Sequence, residues 1–530
     1  MTDTNDAGST IMHPSAENPD PHRVYIKEVE GHQRRYRRLI HFTHSSTRAA
    51  GIMLLAAIAA LVVANTAAYG PFHEFWHTNV YIGFGDAVAK MSLAHIINDI
   101  FMAVFFLLVG LEIKYEMTVG ELTNIRQAAL PIIAAVGGVA APIVIYLLFN
   151  AGNLSTVHGW GVPTATDIAF ALGIMALLGS RVPNGLRVFL STLAVADDII
   201  AILVIAVFYG QSPSLVWLAA AAVVLIVLIA MNRAHIYSLV PYLLVGCVLW
   251  FCVFMSGVHA TIAGVLLAFT IPSSSRVNLS GFLNWSDARM REARAVYDDD
   301  APVMAQSDYL ETVRNVAHVS RQVIPPATRL EHKLYPWVYF AVLPLFALTN
   351  ADVTLAGGDV AEMMQSTVFL GVFFGLVIGK PVGILALSFL TVKLKIAKLP
   401  ENVNWMHMLG AAILGGVGFT MAIFVANLAY DSDIFIAEAK FGILLASFVA
   451  GVVGFLFLLT QAKAAEKRGV AYLTTQGAEV CRQTAGAEAA REAEEIIDAF
   501  EDEELERQIA SAQRAGGGVT EIVLEERAGK

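Results

Sequence analysis

Residues 189–209 read FLSTLAVADDIIAILVIAVFY, an apolar run long enough to cross a bilayer, with Asp197 and Asp198 side by side near its middle. On an insertion scale a central Asp costs about 2.5–3.5 kcal/mol, whereas each Leu, Ile, Val or Phe returns only about 0.3–0.6 kcal/mol. Two adjacent acids therefore roughly cancel the apolar gain of the whole segment. Carboxylates carried at that cost should face protein or water rather than lipid, and intramembrane ionisable groups are functional candidates by default. The alternative is a purely structural pair satisfied by neighbouring hydroxyls, which must bear the penalty twice in one span.

The surroundings of this run agree with a membrane setting. Of 530 residues, 56% are hydrophobic and 15% charged, and the mean hydropathy is +0.61, outside the usual range of a soluble domain. The net charge of -10 does not point to nucleic acid, because many of the acids collect in the C-terminal tail and at Asp298, Asp299 and Asp300. Cys247, Cys252 and Cys481 form neither a CxxC pair nor a disulfide framework, so packing is their expected role. The first apolar run follows a long polar arm instead of a short charged leader, and is expected to stay in the protein.

Apolar segments recur at residues 49–67, 93–111, 130–149, 164–178, 186–209, 215–231, 237–255, 258–271, 336–348, 368–390, 408–430 and 442–459. These predict an all-α membrane protein of about twelve helices, with 164–178, 258–271 and 336–348 short enough to be broken or tilted. Lys and Arg concentrate in alternate connections: Arg34, Arg35, Arg37 and Arg38, then Lys114 and Arg126, Arg181 and Arg187, Arg233, Arg329 and Lys333, Lys393, Lys395 and Lys398, and finally Lys463, Lys467 and Arg468. Lys90 and Lys440 are the exceptions. By the positive-inside rule both termini are cytoplasmic. Three soluble pieces flank or interrupt the transmembrane region at 47–460: an arm at 1–46 expected to be disordered, a cytoplasmic loop at 272–335 with weak helical periodicity over 309–323, and an acidic tail at 461–530. In the tail Ile496, Ile497, Phe500, Leu505 and Ile509 fall at roughly helical spacing.

Two interruptions carry further chemistry. Asp167 lies in Pro163-Thr164-Ala165-Thr166-Asp167, the polar entrance to a short apolar segment, where it either caps an ordinary helix or lines a cavity. The second interruption is Gly415-Gly416-Val417-Gly418-Phe419-Thr420. If helices three to five and ten to twelve are inverted repeats, each break falls in the middle helix of its triplet, as in secondary transporters. Half-helix ends then place partial charges in the bilayer, which Asp167 and a basic group can balance. Lys380, in Gly379-Lys380-Pro381, is a suitable basic group, and Gly371, Gly375, Gly379 and Gly383 form a stripe on its helix that lets a neighbouring backbone come close. Lys380 either neutralises a buried acid or pairs with one Asp of the dyad and releases it when a cation arrives.

Adjacent side chains on a helix diverge by about 100°, so the two carboxylates do not grip one ion as a flat pair. One can bind a small hard cation while the other meets a partner on another helix. Protons and cations then compete for one site, which is the behaviour of an exchanger if access alternates. Glu112, Lys114 and Glu116 end the second helix, Asn98 and Asp99 begin it, and Glu331 and His332 precede the ninth. These are ordinary interfacial charges or a titrating cluster that reports internal pH, with His259 a further participant or a hydrogen-bonded core histidine.

Rival readings exist. His73-Glu74-Phe75-Trp76-His77 matches the H-E-x-x-H pattern of zinc hydrolases, but it sits in a short connection after Pro71 with no evident third ligand. An intramembrane aspartyl protease would use Asp167 with Asp198, and leaves Lys380 and the adjacent dyad unexplained. A sodium-coupled solute symporter needs an organic-substrate pocket that the sequence does not display.

The strings Asn98-Asp99, AVFFLLVGLE at 103–112, ATDIAFALG at 165–173, LGSRVP at 178–183, Asp197-Asp198, SGVHAT at 256–261, IGKP at 378–381 and GFTM at 418–421 together resemble the NhaA-type sodium/proton antiporters, over about residues 47–460. The resemblance implies an electrogenic exchanger in a bacterial inner membrane that expels Na+ or Li+ against entering H+, without a cofactor, and serves pH regulation and salt tolerance. Asp198 would be the principal cation and proton ligand, Asp197 its partner and the salt-bridge acceptor of Lys380, and Thr166 and Asp167 the shapers of the broken-helix crossing. Glu112, Glu116, Glu331 and His332 would belong to a cytoplasmic pH-sensing region, to which the residues themselves add Asp99 and His259 as candidates. A homodimer helped by an extracytoplasmic hairpin is also implied, with residues 80–84 as one strand. The long arm, the expanded loop and the acidic tail depart from the family pattern and leave the pH set point open.

Overall fold

The computed structural model describes residues 46–84, 87–123, 125–210, 213–275, 277–298, 301–354, 360–400 and 402–467. The expected disordered arm and the helical spacing in the tail lie outside them. Helix α1 (Ser46–Ala64) and the short α2 (Tyr69–His77) lead into a hairpin of β1 (Asn79–Phe84) and β2 (Ala87–Ser92). The strands are antiparallel, pairing Asn79 with Ser92 through Phe84 with Ala87, so the expected strand at 80–84 is present. Then come α3 (Leu93–Thr118), α4 (Ile125–Asn150), a 3-10 arm at Val157–Thr164, α5 (Ile168–Leu177), α6 (Asn184–Phe208), α7 (Leu215–Arg233), α8 (Leu239–Met255) and α9 (Thr261–Thr270).

In the expected loop at 272–335, the periodicity over 309–323 corresponds to helix α11 (Ser307–Val323), and a helix not foreseen, α10 (Leu279–Val296), packs on it. Next are α12 (Pro326–Trp337), α13 (Leu343–Asn350), α14 (Val360–Gln365), α15 (Thr367–Lys393), α16 (Trp405–Gly415), α17 (Phe419–Ala429) and α18 (Asp433–Lys467). Glu331 and His332 therefore lie inside α12 rather than ahead of a helix. Pro336 sits inside α12 without ending it, because a π segment, Val338–Val342, carries the chain straight into α13.

Among the described residues eight helices are long and apolar enough to cross a membrane, or nine if the bent pair α16 and α17 is one span. The shorter apolar helices α8 and α9 and the α12–α13 rod coincide with the remaining expected segments. Side chains on α7 such as Leu215 and Val216 are about four-fifths exposed, at 80% and 77%, which suits contact with lipid. The protein is an all-α, multi-pass membrane protein.

Without a hydrophobic drive between helices in lipid, close packing holds the bundle together. The glycine stripe of α15 lies against α4: a Cβ on Gly383 would collide with the Gly137 carbonyl and one on Gly137 with the Gly383 carbonyl, while a Cβ on Gly379 would come within 2.9 Å of Pro142. One core gathers Phe106, Phe346 and Phe424 from α3, α13 and α17. A second joins α4, α5, α6 and α16 through Leu130, Met175, Leu190 and Met408.

Candidate cation site

Both interruptions open at the same place. The chain is extended at residues 165–167, between the 3-10 arm and α5, and breaks again at 416–418, where α16 and α17 meet at a 44° bend. The two breaks are bonded to each other: the Asp167 amide donates to the Val417 carbonyl at 2.7 Å, and the Thr166 hydroxyl to the Gly415 carbonyl at 3.1 Å. Backbone groups that would be orphaned in lipid are thereby satisfied.

Charges stand where the half-helix ends need them. Asp167 caps two helices at once: Oδ1 accepts from the Phe170 amide of α5 at 3.0 Å, and Oδ2 from the Thr420 amide and hydroxyl of α17 at 3.1 and 2.6 Å. A carboxylate between two helix N-termini is favoured by both dipoles. Lys380 plays the opposite part. Its Nζ donates to the Thr164 carbonyl and the Thr166 hydroxyl, each at 2.5 Å, and to Asp197 Oδ2 at 2.7 Å. All three ammonium donors are used, and neither Lys380 nor Asp197 is more than 1% exposed.

The dyad splits as helical geometry requires. Asp197 turns to Lys380, leaving its Oδ1 without a hydrogen-bond partner, and Asp198 faces a narrow cavity with its own Oδ1 likewise unpartnered. That cavity, about 10 Å3 and room for roughly one water, is lined by Thr166, Asp167, Thr420, Glu112 and Tyr339 as well as Asp198. Tyr339 is placed by the π segment between α12 and α13, and a second π segment, Gly375–Gly379, immediately precedes Lys380. Apart from the Met421 thioether, the side-chain donor atoms that line it are oxygens, a set suited to a small hard cation.

A larger cavity of about 450 Å3 opens nearby, lined by Glu116, Gly120, Thr123, Ser191 and Thr192. It is not the site itself, but Thr192 precedes Asp198 on α6 by six residues, about 9 Å of helix. The remaining titratable candidates fall into two groups. Glu112 lies 3.5 Å from the Tyr339 hydroxyl and within electrostatic reach of Glu331 and Glu116, while exposed His332 neighbours Glu331. Asp99 sits in the π segment Ile96–Phe101, 3.9 Å from His95 and within reach of His259, but thirteen residues and about 20 Å of helix from Glu112. His259 contacts the Tyr209 carbonyl through Nε2 at 2.7 Å, presented by a turn in which Gly257 adopts φ +81°, a conformation glycine takes without strain. Lys114 caps the C-terminus of α9, donating to the Phe269 carbonyl at 2.9 Å and also to that of Ile271.

The H-E-x-x-H segment forms α2. Its two imidazoles stack at 3.9 Å, His77 Nδ1 lies against the His73 carbonyl, and His73 Nδ1 lies 3.9 Å from Asp352. Among the described residues no group of three or more His, Cys, Asp or Glu side chains is arranged around a metal position. Thr420, Tyr339 and the Thr164 and Val417 carbonyls were not among the sequence candidates. The Gly-rich break before Phe419 was the one available signal for Thr420.

The model of the family described as Na+/H+ antiporter 1 matches residues 40–458. The chain belongs to that family. Curated relatives bear the same description. A Na(+)/H(+) antiporter NhaA from Wolinella succinogenes is 40% identical over 430 residues, covering 81% of this chain and 94% of its own length. NhaA proteins from Oleidesulfovibrio alaskensis and Acidithiobacillus ferrooxidans are 45% and 44% identical, each over 77% of this chain and over 90% and 94% of their own lengths. The broken-helix crossing and the dyad both fall inside the region matched by the antiporter family.

Proposed function

We propose that the protein is a secondary active antiporter that exchanges Na+ or Li+ for H+ across a bacterial inner membrane, with Asp198 as the shared ligand. One observation carries this reading: a buried carboxylate with an unpartnered oxygen faces a cavity of about one water's size, next to a second carboxylate held by Lys380. Ionised Asp198 takes a partly dehydrated cation with help from cavity oxygens, or it takes a proton. It cannot hold both. A cation bound beside Asp197 weakens the hold of Lys380 on that carboxylate, so arrival of Na+ loosens the same contacts that fix Thr164 and Thr166.

In this reading about twelve spans form inverted repeats around the crossing, both termini are cytoplasmic, and access alternates by rocking one bundle against the other. More positive charge enters than leaves, so the membrane potential assists by about 2.3 kcal/mol per net charge per 100 mV. Glu112, Glu116, Glu331 and His332 form the internal pH-sensing group, and Asp99 and His259 act near the other end of α3. The open-edged hairpin pairs with a second copy in a homodimer. A symporter is disfavoured by the size of the cavity at Asp198, which leaves no room for an organic solute.

The test is dissipation of a preset pH gradient in vesicles on adding Na+, Li+ or K+. Parent protein should respond to Na+ and Li+, and Asp198→Asn should not. Normal exchange by Asp198→Asn would sink the assignment, and Na+ movement only in the presence of an added solute would revive the symporter.

A further inference from the structure

Three buried tyrosines meet on the 3-10 arm that delivers Thr164, Thr166 and Asp167 to the site. Tyr146 of α4, Tyr209 at the end of α6 and Tyr430 at the end of α17 are 0%, 9% and 5% exposed. The Tyr146 hydroxyl donates to the Thr156 carbonyl at 2.6 Å and lies 2.5 Å from the Tyr430 hydroxyl. Since a phenol has one proton and that of Tyr146 is used, Tyr430 is the donor of the pair. On the other flank the Tyr209 hydroxyl donates to the His158 carbonyl at 2.8 Å and accepts from the Gly161 amide at 3.0 Å. The arm is glycine where the phenols press on it: a Cβ at Gly159 would overlap the Tyr430 and Tyr146 hydroxyls, and one at Gly161 the Tyr209 hydroxyl.

This cluster is tied to the cation site at both ends. The arm's last carbonyl, Thr164, accepts from Lys380, and Tyr430 terminates the helix whose first turn grips Asp167 through Thr420. The two broken helices are therefore joined twice, at their crossing and again through the phenols. Position on α6 gives the side: the Thr192 cavity lies six residues before Asp198, and Tyr209 eleven residues after it, about 16 Å of helix.

We infer that Tyr146, Tyr209 and Tyr430 are positioning residues for the exchange reaction, a phenolic latch that holds the 157–164 arm and closes the route on the side of Asp198 away from the Glu116 cavity. The inference rests on the antiporter reading. In each cycle the Tyr146–Tyr430 contact separates so that the arm, and with it the ligands of Lys380, can swing to admit ions from that side. The phenols touch neither the dyad nor Lys380, so their removal changes how often the site opens rather than how tightly it binds.

Two variants act on the latch in different ways: Tyr430→Phe removes one hydroxyl and keeps the ring, while Gly159→Ala drives a methyl between the phenols. Amide hydrogen exchange of the purified full chain should speed at least tenfold over 157–164 in both, with the peptides of α3 unchanged. In vesicles the maximal rate of Na+-driven exchange should rise at least threefold while the KM for Na+ stays within twofold. Unchanged protection of the arm, or a KM that rises at a constant maximal rate, would overturn the proposal. Tyr209→Phe, on the opposite flank, supplies the same readouts should either variant fail to fold. Asp198→Asn in the same vesicles judges the antiporter reading separately, and the amide-exchange arm judges the latch whatever that result.

Discussion

At the level of single residues, charge compensation governs what each substitution does. Lys380 is the only hydrogen-bonding cation on Asp197 among the described residues, and both are buried. Removing one partner of a buried pair leaves an uncompensated charge, at a cost of about 3–5 kcal/mol. Lys380→Ala should therefore lower the thermal midpoint sharply, and adding Asp197→Asn should recover much of the loss. A double variant as unstable as Lys380→Ala alone would show that the ammonium matters mainly for the Thr164 and Thr166 oxygens. Thr420 offers a gentler case. Thr420→Val deletes a 2.6 Å hydroxyl bond to the Asp167 carboxylate while keeping the amide bond. Hydrogen bonds to charged groups contribute about 1.5–3 kcal/mol, so a destabilisation of that order is expected in chemical unfolding, with Na+ exchange slowed.

Among the helices, the α4–α15 contact is the tightest constraint. Gly137 and Gly383 face one another so closely that neither backbone tolerates a methyl group between them. Overpacking typically costs about 1–3 kcal/mol and more when backbone is the obstacle. Gly383→Ala should reduce the thermal midpoint and disturb Lys380, three residues earlier, whereas Gly51→Ala on α1, with nothing within 4 Å, should be neutral or slightly stabilising. Equal effects of the two substitutions would refute the close-packing account. Asp197, Asp198, Lys380 and the glycine stripe were legible in the sequence because each conflicts, within its own segment, with what lipid tolerates. The capping of α17 by Asp167 was not. Asp167 and Thr420 are 253 residues apart; the paired breaks suggested a crossing, but no local pattern names the atoms of one break that cap the other. The tyrosines escaped notice for a different reason: on an apolar helix a tyrosine reads as an interfacial anchor, and only the fold brings three of them onto one arm. Helix α11 shows in the sequence as the periodicity over 309–323, whereas α10, with charged residues such as Asp287, Arg289, Arg291 and Arg294 among few apolar ones, carries no comparable stripe.

For the molecule as a whole, competition at one site predicts how stability responds to ions and acid. If Na+ and H+ share Asp198 as proposed, the cation binds only when the proton has left, and added Na+ should raise the thermal midpoint more at alkaline than at acidic pH. Saturation to about a hundredfold over the dissociation constant corresponds to about 2.7 kcal/mol. Asp198→Asn should abolish the difference, and Na+ stabilisation that ignores pH would contradict the scheme. Glu331, outside the long apolar spans, supplies a second dependence. Burial pushes its carboxyl up, and neighbouring His332 pulls it partly back. The folded chain then holds this proton more tightly than the unfolded chain, so the contribution is complete below the unfolded value of about 4.3 and is lost as pH rises through the higher folded value. Glu331→Gln should flatten that part of the stability curve in thermal unfolding between acid and neutral pH. A slope identical to the parent would assign the dependence elsewhere.

Three π segments, Ile96–Phe101, Val338–Val342 and Gly375–Gly379, interrupt the helices that carry titratable groups and their partners. Each is a wide, i→i+5 bonded turn inside an otherwise regular rod, a form that is rare in helices and found mostly at functional sites. Asn98 and Asp99, Tyr339 and the approach to Lys380 all take their placement from such a turn. Excising one residue from such a segment should rewind the rod into a regular helix and re-aim the side chains beyond it, trading transport for resistance to heat.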